Sequence, residues 1–79
     1  MSKRPIIYEI FDNYDGHVYF HSEDRQDALE MMKQIVTNEP GVEAEMTFAV
    51  TKPNGKSFTV LFSVTGSALL EYLDAELEE

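Results

Sequence analysis

Two hydrophobic rhythms divide this chain, one with the two-residue period of strands and one with the wider spacing of helices. Residues 5–11, PIIYEIF, are rich in β-branched and aromatic side chains and predict a strand. Ile6, Tyr8 and Ile10 point one way, and Ile7, Glu9 and Phe11 the other. Both faces are largely apolar, which suits an interior place in a sheet. DNYDG predicts a turn with Asp15 and Gly16 at its left-handed position, and HVYFH returns as a second strand.

The rhythm then changes. SEDRQDALEMMKQIVTN predicts an amphipathic helix with Ala28, Leu29, Met32, Ile35 and Val36 on one face. Ser22 or Asp24 can cap its start, where Glu23, Asp24 and Asp27 complement the positive end of the helix dipole. Asn38 can take a left-handed cap, and Pro40–Gly41 stops the helix.

Strict alternation resumes in VEAEMTFAVT, with Val42, Ala44, Met46, Phe48 and Val50 on one side. Glu43, Glu45, Thr47, Ala49 and Thr51 take the other. KPNGK predicts a hairpin turn with Asn54–Gly55 at positive φ. SFTVLFSV returns with Phe58, Val60, Phe62 and Val64 inward and Ser57, Thr59, Leu61 and Ser63 outward. After Thr65-Gly66-Ser67 a second helix carries Leu69, Leu70, Leu73 and Leu77 along its apolar stripe.

The order is therefore ββαββα. Four strands with one apolar face and two amphipathic helices predict an α+β fold, a two-layer sandwich with a mainly antiparallel four-stranded sheet and both helices on one face. The first and fourth strands are the expected centre of the sheet. Seventy-nine residues make one domain, 1–79, near the size at which a single core suffices, with 1–4 expected to be a flexible N-terminus and 78–79 a frayed C-terminus.

Composition narrows the chemistry. With 43% apolar residues the chain has enough to fold, and with no cysteine it has neither disulfide nor thiolate. No apolar run reaches the length of a signal core or membrane span, so a cytoplasmic protein is expected. Fifteen acids against six bases give a net charge of −9. Phosphate backbones and anionic membranes repel such a chain, so neither nucleic acid nor membrane is expected as a direct partner.

Catalytic constellations are weak. His17 and His21, four residues apart on an extended strand, would lie about 13 Å apart, too far to share one zinc ion. DNYDG lacks the first and last ligands of a calcium loop. There is no nucleophile elbow and no phosphate-cradling glycine loop. The expectation is a non-enzymatic protein without cofactor or metal.

Acidic surfaces carry the functional expectation. Glu71, Asp74 and Glu78 form a stripe at i, i+3 and i+7 on the closing helix, without a cation on that helix to relieve it. Like charges at these spacings cost about 0.2–0.5 kcal/mol each, and acids at a helix C-terminus add about 0.3–1 kcal/mol each. Local rules are most often broken where function requires it. Glu23, Asp27 and Glu30 form a second stripe, and Asp12 and Asp15, with Tyr14 and Tyr19 nearby, a third acidic patch at the first turn. Together they predict a small acidic protein that binds a basic protein surface electrostatically, as an inhibitor or nucleic-acid mimic would. The alternative is a homodimeric scaffold domain that associates through an uncharged sheet face including Thr47, Ala49, Thr59 and Leu61.

Overall fold

The computed structural model describes residues 6–77, in the order β1 (Ile7–Asp12), β2 (Val18–Ser22), α1 (Arg25–Asn38), a 3-10 turn (Val42–Ala44), β3 (Met46–Asn54), β4 (Ser57–Thr65) and α2 (Ser67–Leu77). The four strands form one antiparallel sheet in the order β2-β1-β3-β4. The expected ββαββα sandwich is therefore the fold. The expected termini at 1–4 and 78–79 lie outside the described residues.

One face of the sheet meets both helices. Ile10 of β1 stands opposite Phe48 of β3. These two join Met46, Ala28, Leu29 and Met32 of α1, and Leu69 and Leu73 of α2, in the buried core. α1 lies over β1 and β2, α2 lies over β4, and the helices also touch each other. Tyr72 completes the core from α2: its ring sits 5.7 Å from Phe48 and 5.0 Å from Phe62. The expected stripe of α2 holds at Leu69, Leu73 and Leu77, but Leu70 faces solvent and Tyr72 replaces it.

The centre of the sheet is β1 and β3, not β1 and β4. Sequence pattern misleads here because β4 is rich in apolar residues, carries no charge and is still an edge. Its residues 57–63 are all exposed. β3 qualifies as central because its second side carries Thr47, Ala49 and Thr51 where both neighbours flank it, residues small enough to be shielded by those strands.

Three local details also differ from the pattern. Residues 42–44 form a 3-10 turn rather than strand, because Gly41 adopts φ +98° and turns the chain before β3 begins at Met46. The left-handed conformation expected at Asn38 is thus taken by Gly41, while Asn38 stays helical and Glu39 forms the C-cap. The second hairpin turn is centred one residue later than expected. Asn54 opposes Ser57, so Gly55 and Lys56 are the two loop residues. Gly55 has φ +66° and, among the described residues, only glycines have positive φ, so Lys56 does not, which is the type II′ arrangement with glycine first.

Two bulges reset the faces of the edge strands. On β2, Phe20 opposes Ile10 but Val18 opposes Phe11, leaving Tyr19 as the extra residue. On β4, Phe62 opposes Val50 but Val60 opposes Thr51, leaving Leu61 unpaired. Cross-strand partners share a face, so Val60 with Thr51, and Phe58 with Pro53, lie on the side away from the helices. The expectation that Phe58 and Val60 point inward fails for this reason: one extra residue flips everything beyond it.

α1 starts as expected at Asp24, whose carboxylate accepts from the N–H groups of Gln26 and Asp27 at 2.9 and 3.2 Å. Asn13 ties the first hairpin to the open end of the second, where β3 begins and β4 finishes. Its backbone N–H donates to the Glu45 carbonyl at 2.9 Å, its side-chain amide donates to Thr65 Oγ1 at 3.2 Å, and its amide oxygen accepts from the Thr47 hydroxyl.

Candidate functional site

Helix packing explains part of the acidic ending of the chain. Arg25, the first residue of α1, forms an ion pair with Glu76 near the end of α2. The positive end of one helix dipole therefore lies beside the negative end of the other. The Glu76 carboxylate holds the Arg25 guanidinium above its ordinary pKa, partial burial opposes this, and the Tyr72 hydroxyl adds to it. Glu76 is an acid that the stripe pattern did not single out.

The acids that the pattern did single out stand elsewhere. Glu71 and Asp74 are exposed on the outer side of α2, and among the described residues neither has an ion-pair partner. Glu78 lies outside the described residues. Glu23, just before the Asp24 cap, and Asp27 and Glu30 on α1 are exposed too, with Glu30 accepting a hydrogen bond from the Gln26 side-chain amide at 3.0 Å. Both stripes belong to the helix layer.

At the first hairpin the acids have structural work. Asp12 accepts from the Tyr14 N–H at 2.6 Å, and Asp15 from the His17 N–H at 2.9 Å. Asp12 also joins Glu39, Glu45 and Tyr19 around a cleft of about 240 Å³ whose other walls are Ile35, Val42 and Met46. Tyr19 Oη donates to Asp12 at 3.4 Å. Partial desolvation and the Asp12 carboxylate raise the Tyr19 phenol above its usual pKa. Glu39 and Glu45 were not legible as site residues, because they come from the C-cap of α1 and the C-cap of the 3-10 turn and meet Asp12 only through the fold.

The uncharged face expected for dimerisation is not assembled. Thr47 is 8% exposed and bonded to Asn13, and Ala49 is fully buried. Thr59 opposes Lys52 and so lies on the other side of the sheet from both, while Leu61 is the bulge residue. The side away from the helices instead carries a groove of about 460 Å³ lined by Ile7, Glu9, Val18, His21, Pro53 and Phe58.

The histidines are apart. His17 precedes β2 and its ring packs edge-on against Tyr19 at 4.7 Å, while His21 opposes Glu9 across the β1–β2 ladder. Among the described residues no three histidine, aspartate or glutamate side chains gather closely enough to hold a metal ion. No helix among them is long and apolar enough to cross a membrane. Comparison with models of protein families, with curated proteins and with solved structures gave no match.

Proposed function

We propose that the protein is a small, non-catalytic binding protein that engages a basic protein surface through the carboxylates of its helix layer. The observation that carries this reading is the distribution of charge around Arg25. That guanidinium is already engaged by Glu76, and Glu71, Asp74, Asp27 and Glu30 remain exposed on the same layer. Lys33 is the other base on α1. A surface arranged in this way produces a negative potential that speeds encounter with a cation-rich partner and discriminates against acidic ones.

The cleft of Asp12, Glu39 and Glu45 supports the same reading. Its carboxylates, the Tyr19 ring and its apolar walls suit the aliphatic stem and charged head of a lysine or arginine. If the partner's basic surface normally binds nucleic acid, the protein acts as a phosphate mimic and inhibits by competition. In this reading it works in the cytoplasm.

The test uses a panel of purified basic nucleic-acid-binding proteins and the protein in which Glu71→Gln, Asp74→Asn and Glu78→Gln are combined. Binding by the native chain, weakened by salt and by neutralisation, and competing with nucleic acid, supports the proposal. Binding that ignores both salt and neutralisation, or a failure to bind any basic protein at low salt, removes it.

A further inference from the structure

β4 is an outer strand with one side of its backbone unpaired. Natural edge strands are usually short or carry a lysine, a proline or an inward charge that prevents pairing with another chain. The opposite edge is short, with five residues in β2, and bulged as well. β4 shares only the bulge. It runs nine residues, SFTVLFSVT, with no charged side chain and no proline, a length of about 30 Å at the usual rise. Phe58, Val60, Leu61 and Phe62 are all between 42% and 59% exposed. Its one irregularity, the bulge at Leu61, lies at the middle and leaves two regular arms, 57–60 and 62–65.

The two ends of this edge differ in charge. Lys52 and Lys56 stand at the hairpin end, Lys56 immediately before β4 and Lys52 opposite Thr59. At the other end the Gly66 N–H donates to the Glu43 carbonyl at 2.9 Å, and α2 follows with Glu71 exposed near its start. A chain of charge −9 repels its own copy over most of its surface. Along β4 neutral residues meet neutral residues. In an antiparallel arrangement the lysine end of each copy meets the acidic end of the other, whereas a parallel arrangement sets like against like. Antiparallel is also the arrangement a closed twofold contact requires. α2 covers only the Phe62 and Val64 half of the strand, so the uncovered half of one copy lies beside the covered half of its partner.

We infer that β4 pairs antiparallel with β4 of a second copy, joining the two sheets into one eight-stranded sheet about a twofold axis near Leu61. The contact uses the backbone of the edge, is distinct from a face formed by Thr47, Ala49, Thr59 and Leu61, and does not depend on any basic partner.

Sedimentation equilibrium of the purified protein alone tests it. The native chain dimerises from its 9.0 kDa monomer with rising concentration. Val60→Lys, a charge placed at the edge, abolishes the dimer while circular dichroism stays native. The pair Lys52→Glu with Lys56→Glu weakens association by about tenfold or more, and so does the pair Glu43→Lys with Glu71→Lys. An equimolar mixture of these two double variants restores the dimer, because both end contacts are then complementary again. A native chain that stays monomeric, a dimer indifferent to Val60→Lys, or a mixture that stays monomeric overturns the inference.

Discussion

Arg25 and Glu76 clamp the start of α1 to the end of α2, two positions fifty-one residues apart in sequence. The side chains are 41% and 35% exposed, so water and salt weaken the pair. Arg25→Gln and Glu76→Gln are each expected to cost about 0.2–1 kcal/mol in urea denaturation, with a coupling of similar size in the double-mutant cycle that shrinks as salt is added.

Truncation of Phe48 probes the core. It is fully buried between Tyr8 and Tyr72, with ring centroids at 6.4 and 5.7 Å. Phe48→Ala is expected to cost about 3–5 kcal/mol, enough to unfold much of the population of a domain this small. Loss of the cooperative thermal transition is the readout.

Asn13 is the polar counterpart. Replacing it by Ala leaves the 8% exposed Thr47 hydroxyl without its acceptor and Thr65 without a donor. The expected loss is about 1–3 kcal/mol. Tyr14→Ala, one residue along at an 81% exposed position, should fall within about 0.5 kcal/mol of the native stability. Equal losses at the two positions would show that Asn13 has no special role.

The second turn gives a backbone test. Gly55 at φ +66° has open space where a Cβ would point, so only backbone preference opposes a side chain there. Gly55→Ala should cost about 1–2 kcal/mol, and Gly55→Asn less, since asparagine tolerates left-handed geometry. Thermal melts of the two variants distinguish these outcomes.

Alkaline titration checks Tyr19. Its phenol is raised in the folded chain, so the folded state holds that proton more tightly than the unfolded state. The resulting contribution to stability is complete below the ordinary phenol pKa of about 10 and disappears as pH rises through the raised value. The difference in phenolate absorbance between the native chain and Tyr19→Phe should therefore appear above pH ~10. Asp12→Asn should lower that midpoint without abolishing the shift, because desolvation remains.

Where local chemistry decides structure, the sequence was a sufficient guide. The Asp24 cap, the apolar face of α1 and the order of elements all follow from residues within one or two turns of each other. What escaped it depends on distant partners. Nothing in SFTVLFSV shows that Leu61 is an extra residue, since the bulge exists only relative to β3. The edge position of β4 was hidden by its hydrophobicity, and the central position of β3 by the threonines that its neighbours cover. The acidic stripes were visible from spacing, but the engagement of Glu76 by Arg25 and the meeting of Asp12, Glu39 and Glu45 required the tertiary fold.

The extra residue on β4 also sets how the hairpin tolerates changes in chain length. Excising one residue from a regular strand ordinarily shifts every following side chain to the wrong side. Excising Leu61 is different, because Val60 and Phe62 already oppose the adjacent residues Thr51 and Val50. A chain shortened there keeps each remaining cross-strand partner and loses only the kink. The hairpin thus contains one site where a single-codon deletion is milder than many point substitutions.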